Sequence, residues 1–208
     1  MYLKNMENFN VKDYWENRYV NGGDSGWGSH NQTIVNFKKD YINNIIQRFS
    51  IKTIVDLGCG DGNQLGYLNG YEKYYGYDIS HNVLTKCKIM YLNQNNKEFV
   101  NNVEELLVRK YDLALSLDVI YHLVEDDMYY EHIKNLFLLS DLICIFSTDD
   151  DVKDNETPLP HLRNRKISKY VEENFSNFKL IESKRFYEIS ENNIGFFIYK
   201  IMENNNEQ

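Results

Sequence analysis

The stretch Thr53-Ile-Val-Asp-Leu-Gly-Cys-Gly-Asp-Gly62 decides the fold of this chain. Residues 53–57 are mostly apolar or β-branched, which is typical of a short buried strand. The glycines that follow allow a sharp turn and let a ligand lie against the backbone. We therefore predict a strand that runs directly into a ligand-binding loop.

Apolar strands and helical patterns alternate on the C-terminal side of this loop. They predict helices near 63–68, 82–92 and 126–139, and strands at 74–78, 98–100, 111–118 and 142–146. The end of the chain differs, with a helix near 166–175 and two strands, 178–186 and 195–201, joined by a short turn at 190–194. The alternation predicts an α/β fold with helices on both faces. Its sheet is mainly parallel and seven-stranded, and ends in an antiparallel hairpin.

The first fifty residues carry a different pattern. Ile34, Tyr41 and Ile45 keep near-helical spacing, which predicts a helix at 34–49. The glycine content of 22–29 predicts a loop. We expect one domain over 1–208, with a helical and lid segment at 1–50, the catalytic core at 51–202 and a frayed tail at 203–208.

The composition limits the partners. Lys and Arg number 23 against 31 Asp and Glu, giving a formal net charge of −8. Nucleic-acid binders need a basic face to release phosphate counterions, so this balance argues against that role.

The three cysteines are too widely spaced for a metal-ligand pair and odd in number for a disulfide framework, and we predict no metal site. With no signal region and no apolar stretch near the roughly 20 residues of a membrane span, the expected location is the cytoplasm.

A carboxylate stands at a suitable distance from the glycine loop to hold an adenosine-containing cofactor. Asp78 follows Gly58 by 20 residues and ends the next predicted strand. There it can accept hydrogen bonds from both ribose hydroxyls. A dinucleotide fingerprint would need a third glycine at Asn63. Asp56, before the loop, suits a cofactor that carries sulfonium and ammonium groups in place of a pyrophosphate.

The stretch 55–64 resembles motif I of class I S-adenosylmethionine-dependent methyltransferases, and Gly76-Tyr-Asp-Ile-Ser80 resembles their next motif. The resemblance implies a Rossmann-like fold that uses S-adenosylmethionine and releases S-adenosylhomocysteine. It implies that Asp78 binds the ribose and that Asn102 stands where these enzymes often carry an Asp for the adenine amino group. The cofactor-binding residues predicted in this way are Asp56, Gly58, Cys59, Gly60, Asp78, Ile79, Asn102, Val103, Leu117 and Asp118.

His122 is the candidate general base. It follows the fourth strand at the carboxyl edge of the predicted sheet, where ligands bind in open α/β folds. Methyl transfer is an in-line displacement that needs alignment, and a base where the acceptor must lose a proton. Imidazole titrates near neutrality and suits that task. Tyr121 is a weaker candidate, and the alternative for His122 is packing against the following helix.

A basic cluster at His161, Arg163 and Arg165 stands out in an acidic protein. Guanidinium groups hold phosphates and carboxylates bidentately, so we predict that this cluster binds an anionic small-molecule acceptor. Trp27, in the glycine-rich loop, is predicted to cover the acceptor or the cofactor. The alternatives are a solvated helix start for the cluster and ordinary surface packing for Trp27.

The pattern from Tyr14-Trp15 to Lys166 also resembles small bacterial methyltransferases of capsule and surface-polysaccharide biosynthesis. This narrower resemblance implies O-methylation of a phosphorylated, phosphoramidate or nucleotide-linked sugar. Two alternatives stay open: a non-catalytic cofactor-binding module of a methyltransferase complex, and a methyltransferase of an unrelated small metabolite. A third, an NAD-dependent enzyme, is disfavoured by Asn63 and Asp56. We expect a monomer or a homodimer.

Overall fold

The computed structural model describes residues 9–150, 159–186 and 194–202. The strands are β1 Thr53–Leu57, β2 Lys73–Tyr77, β3 Lys97–Val100, β4 Leu113–Leu117, β5 Leu142–Thr148, β6 Phe178–Arg185 and β7 Ile194–Ile201. The α-helices are α1 Val11–Val20, α2 Trp27–His30, α3 Gln32–Arg48, α4 His81–Met90, α5 Asp126–Leu139 and α6 Ile167–Asn174.

The strands form one sheet in the order β3-β2-β1-β4-β5-β7-β6. Neighbours from β3 to β5 are parallel, whereas β7 runs antiparallel to both β5 and β6. This confirms the predicted mainly parallel, seven-stranded sheet with its C-terminal hairpin. Because β1 lies between β2 and β4, the loops that follow these strands meet at one edge of the sheet.

Side chains of β1 alternate between two cores. Ile54 packs in a core with residues of α3 and α4, and Val55 packs in a second core with residues of α5 and α6. The alternation has the period of two that an extended strand imposes. Helices therefore cover both faces of the sheet, as predicted, and the carboxyl edge is left for ligands.

Two predicted elements differ in the structure. The helix predicted at 63–68 is a single turn of 3-10 helix, Gln64–Tyr67, because the chain becomes extended at Leu68. The loop predicted at 22–29 ends in a helical turn, since α2 begins at Trp27 after Gly26 at a φ of 86°. One-turn elements are too short to leave a periodic apolar pattern in the sequence.

Other predictions fall outside the described residues. Residues 190–193 of the predicted hairpin turn belong to this group, as does the predicted tail at 203–208. Within the three described ranges, no helix is long and apolar enough to cross a lipid bilayer.

Candidate active site

The loops that follow β1, β2, β3 and β4 surround a cavity at the carboxyl edge of the sheet. The structure brings seven of the ten predicted cofactor-binding residues into its wall: Gly58, Gly60, Asp78, Ile79, Val103, Leu117 and Asp118. Gly58 and Gly60 have φ values of 92° and 54°. This left-handed region is costly for residues with a Cβ, so the turn after β1 requires glycine.

Asp78 directly follows β2 and turns its carboxylate toward the glycine loop. Oδ2 accepts from the main-chain N–H of Gly60 at 3.0 Å, and Oδ1 accepts from the N–H of Ser80 at 2.9 Å. Burial raises the pKa of Asp78 to about 6, although both hydrogen bonds favour the ionised form. This carboxyl group is therefore fixed in the cavity wall, where it can accept from ligand hydroxyls.

Three predicted cofactor residues lie outside the wall that the described residues form. Asp56 is buried, and its Oδ2 accepts from the Tyr74 hydroxyl at 2.7 Å. Burial raises the pKa of Asp56 to about 7. Asn102 is exposed, and its Oδ1 accepts from the N–H of Glu104 at 3.1 Å. Cys59 packs against the apolar core on the side of α3 and α4.

Asp118 directly follows β4 and has a left-handed backbone conformation, with a φ of 61°. Its Oδ2 lies 2.7 Å from Lys38 Nζ, and its Oδ1 accepts from the Tyr121 hydroxyl at 2.8 Å. Tyr121 is thus connected to the cavity wall by its hydrogen bond to Asp118. Positive φ in a residue other than glycine persists only where the surroundings enforce it, and such residues cluster at functional sites.

Sequence reasoning missed Lys38, whose side chain is 0% exposed. A signal was present, because Lys38 falls on the same buried stripe of α3 as Ile34, Tyr41 and Ile45. A lysine on such a stripe is fully buried only when it is paired. The partner, Asp118, is 80 residues away in the sequence and leaves no local pattern.

His122 ends a single turn of 3-10 helix, Ile120–His122, and lines the cavity. Its Nδ1 lies 3.0 Å from the main-chain oxygen of His161. Because a carbonyl oxygen only accepts, Nδ1 carries the proton and Nε2 is the acceptor. Burial lowers the pKa of His122 to about 4, so the ring is neutral near pH 7. Trp15 packs against this ring in a T-shaped arrangement, with ring centroids 4.9 Å apart.

The two arginines of the predicted anion cluster contact the start of α5. Arg163 and Arg165 each place a guanidinium nitrogen 2.9 Å from Asp126 Oδ1. Arg165 also donates to the main-chain oxygens of Leu123 and Val124, at 2.7 and 3.0 Å. Neither arginine is among the described residues that line the cavity. Their contacts fasten the segment after β5 to the loop after β4.

The other two predicted acceptor residues take different positions. His161 stacks on Tyr14 with ring centroids 4.8 Å apart, and its ring lies 5.7 Å from that of His122. It therefore covers the candidate base. Trp27 is 57% exposed and lies outside the cavity wall as far as the described residues define it.

The N-terminal segment covers the cavity. Glu16 accepts from Ser80 Oγ at 2.5 Å and from the Asn82 side chain, which ties α1 to the start of α4. Ser25 donates its N–H to Asp61 at 2.9 Å, and its hydroxyl accepts from the Asp61 N–H at 2.8 Å. These bonds hold the segment against the glycine loop, and the wall residues that α1 supplies are Val11, Trp15 and Tyr19.

Helix α5 contributes wall residues that the sequence did not reveal: Met128, Glu131, His132 and Asn135. His132 Nε2 lies 2.9 Å from Ser116 Oγ of β4, and burial lowers the pKa of this histidine to about 4. The helical spacing of the four wall residues of α5 is visible in the sequence. A stripe with this spacing is also typical of a helix face that packs in an ordinary core.

This sheet and its edge cavity define a Rossmann-like methyltransferase fold, which solved structures share. N-methyltransferase NodS from Bradyrhizobium japonicum WM9, solved with S-adenosyl-l-homocysteine, has a TM-score of 0.73 and 12% identity over 94% of this chain and 100% of its own. Magnesium protoporphyrin IX methyltransferase from Synechocystis PCC 6803, solved with S-adenosylmethionine, has a TM-score of 0.66 and 14% identity, covering 94% and 99%. An S-adenosylmethionine-dependent methyltransferase from Clostridium acetobutylicum ATCC 824 has a TM-score of 0.62 and 14% identity, covering 78% and 90%.

A family model described as a methyltransferase domain matches residues 49–194. The chain therefore belongs to this methyltransferase family, which confirms the class that the glycine loop indicated. No protein of curated function matches the chain significantly. The narrower resemblance to enzymes of surface-polysaccharide biosynthesis stays a prediction.

Proposed function

We propose that the chain transfers a methyl group from S-adenosylmethionine to an oxygen of a small-molecule acceptor. The observation that carries this proposal is that Gly58, Gly60, Asp78 and His122 lie in the wall of one cavity. The loop and Asp78 suit an adenosine-containing cofactor, and His122 supplies a proton acceptor in the same space. Family membership and the neighbours solved with the donor or its product support the choice of cofactor.

The strand order sets the proposed direction of the cofactor. Asp78 directly follows β2, which lies between β3 and β1. With the ribose at Asp78, the adenine extends toward Val103 after β3, whose apolar side chain suits a flat ring. The sulfonium and the amino-acid end then extend over Gly58 and Gly60 toward β4. The acidic side chains of the wall, Asp78, Asp118 and Glu131, favour a ligand that carries positive charge.

When bound, S-adenosylmethionine supplies a methyl group that its sulfonium charge activates. His122 is proposed to accept the proton that the acceptor hydroxyl loses, through Nε2, because Nδ1 is held by His161. With its pKa lowered to about 4, the ring is unprotonated at neutral pH but only weakly basic. It therefore assists proton loss in the transition state instead of ionising the acceptor beforehand. Val11 and Trp15 cover the site and exclude water.

Oxygen is the proposed methylated atom because a hydroxyl nucleophile must lose a proton, which gives His122 a function. The narrower proposal is a phosphorylated or nucleotide-linked sugar of surface-polysaccharide biosynthesis. Its support is the position of Arg163 and Arg165 in the segment after β5, whose His161 contacts His122. Because both guanidinium groups contact Asp126, an anionic acceptor must compete with that carboxylate. An unchanged acceptor KM in Arg163→Ala would remove the anionic acceptor from the proposal.

Isothermal titration with S-adenosylhomocysteine and with NAD tests the cofactor. We expect binding of S-adenosylhomocysteine alone, and no heat with this ligand would overturn the proposal. The acceptor is then sought by incubating the protein with S-adenosylmethionine, a hydrolase that releases homocysteine, and a panel of candidates. Phosphorylated sugars, nucleotide-activated sugars, neutral alcohols and amines form its four arms. Turnover confined to the amines would contradict O-methylation.

A further inference from the structure

We infer that a groove between α3 and the end of β6 is a second binding site, which holds a phosphate group of a small ligand. Lys184 and Arg185 are the side chains assigned to the phosphate. This groove is separate from the catalytic cavity, since no described residue lines both. The inference therefore goes beyond the proposed function and does not depend on it.

The groove opens near the same edge of the sheet as the catalytic cavity. Its wall residues are Thr33, Asn36 and Phe37 of α3, with Ser183, Lys184, Arg185 and Phe186 at the end of β6. Arg185 lies opposite Gly195 of β7, which lies opposite Ser147 near the end of β5. Because β5 and β7 separate β6 from β4, the groove lies on the side of the sheet away from the glycine loop.

The two cations of the groove have no carboxylate partner. Neither Lys184 nor Arg185 forms a salt bridge in the part of the chain that the structure describes. The acidic residue of the same strand, Glu182, is paired with Arg48 at 2.7 Å and accepts from the Tyr41 hydroxyl at 2.6 Å. In a chain with a formal net charge of −8, two adjacent unpaired cations form a local site that attracts anions.

The arginines that follow β5 provide a useful contrast. Arg163 and Arg165 each lie 2.9 Å from Asp126 Oδ1, so an anion that binds there must compete with a carboxylate. An anion at Lys184 and Arg185 replaces only water. It gains charge-assisted hydrogen bonds, bidentate ones from the guanidinium group, without breaking an ion pair.

Aromatic rings border the ammonium group of Lys184. Its Nζ lies 5.4 Å from the ring centroids of both Phe37 and Tyr41. Phe37 in turn packs against Phe186, with ring centroids 4.9 Å apart. An aromatic face attracts a cation without neutralising it, and apolar surroundings strengthen the attraction between that cation and an anion.

Pairing with β7 fixes the end of β6. The N–H of Phe186 donates to the main-chain oxygen of Ile194 at 2.9 Å. A Cβ added at Gly195 would lie 2.6 Å from the main-chain oxygen of Lys184 and 2.9 Å from Arg185 Cα, so the strands approach so closely that only glycine fits. Because the backbone that carries the two cations is already ordered, binding costs less conformational entropy than it would on a loop.

Neutral donors border the same groove. The hydroxyl groups of Thr33 and Ser183 and the Nδ2 atom of Asn36 donate to no acceptor in the three described ranges. Together with the two cations they suit a phosphate, which offers three strong acceptor oxygens. The net negative charge of the chain disfavours an extended polyanion, so the assigned ligand is a small phosphorylated molecule.

Pyrophosphate is the probe that tests the groove, in calorimetry and in NMR spectra of the backbone amides. We expect it to bind with the same affinity with and without S-adenosylhomocysteine, and to shift amides at 33–37 and 183–186. Lys184→Met/Arg185→Met should bind it about 10-fold more weakly or worse, as expected for the loss of hydrogen bonds between charged groups. Lys179→Met is the matched control, because Lys179 is also exposed and lies near the other end of β6. Its affinity should stay within about twofold of wild type.

Three further probes define the ligand. Glucose 6-phosphate and a nucleoside diphosphate distinguish a sugar phosphate from a nucleotide as the source of the phosphate, and succinate should bind at least about 10-fold more weakly than pyrophosphate. The inference would be overturned by wild-type affinity in the double variant, by amide shifts centred on 58–62, or by succinate binding as tightly as pyrophosphate. Failure to bind S-adenosylhomocysteine would contradict the proposed function and leave the test of the groove intact.

Discussion

The Nδ1 atom of His122 lies 3.0 Å from the main-chain oxygen of His161, a residue of the segment that follows β5. This contact places the proton on Nδ1 and makes Nε2 the acceptor of a ring that lines the cavity. The main chain thus selects the tautomer that a general base needs, a task that a carboxylate performs in catalytic triads.

Replacement of His122 should affect turnover much more than cofactor binding. His122→Ala removes the proton acceptor, so we expect turnover to fall about 100-fold or more, the usual contribution of a general base. The Kd for S-adenosylhomocysteine should change less than about threefold. His122→Gln is the matched control for shape, because its amide can still donate to His161 but cannot take up a proton. Turnover near wild type in His122→Gln would show that the residue only fills space.

Cofactor affinity should depend on pH through Asp78. Burial raises the pKa of this carboxyl from its usual value near 4 to about 6, so its ionised form is lost as the pH falls through 6. The ribose hydroxyls need the ionised form as acceptor, and at pH 5 only about one molecule in ten carries it. Titration calorimetry should therefore give an affinity for S-adenosylhomocysteine about tenfold lower at pH 5 than at pH 7. Asp78→Asn should bind weakly, with no such step. If the affinity of this variant still fell between pH 7 and pH 5, the pH dependence would belong to another titrating group.

The bonds between α1 and α4 should slow release of the cofactor. Glu16→Ala removes the acceptor for Ser80 and Asn82, so the covering segment opens more often. We expect the dissociation rate of S-adenosylhomocysteine to rise about 5- to 10-fold in stopped-flow displacement. Asn17→Ala, at the next and exposed position of the same helix, is the control. Equal rates in the two variants would mean that α1 does not gate the site.

The effects of replacing Lys38 and Asp118 on the free energy of unfolding should be strongly non-additive, because the two residues form a buried ion pair. Lys38→Met leaves the Asp118 carboxylate buried without its counter-charge, and breaking such a pair costs about 3 kcal/mol or more. Urea unfolding should show this loss in the free energy of unfolding. Lys38→Met/Asp118→Asn should recover part of it, because no unpaired charge remains. Lys110→Met, at the exposed pair with Asp141, should lie within about 0.5 kcal/mol of wild type. A double variant as unstable as Lys38→Met would contradict the coupling.

Much of the fold could be predicted because its determinants are local. The strand 53–57 and its glycine loop are contiguous, and the apolar patterns of the later strands and helices depend on neighbours a few residues apart. Asp78 was predictable for the same reason, since a strand, a crossover and a second strand set its distance from the loop. One-turn elements such as α2 were missed because a single turn is too short for an apolar pattern to repeat.

The sequence by itself therefore determined the order of elements, the parallel sheet and the edge at which a ligand binds. Only the tertiary structure decided which charged groups meet there. In the folded chain, Asp56 accepts a hydrogen bond from Tyr74. Arg163 and Arg165 pair with Asp126. Lys38 pairs with Asp118. The pairing of a charged group depends on residues that are far away in sequence, and its burial makes that pairing obligatory. Local patterns record periodicity and turns, but they do not record these partners.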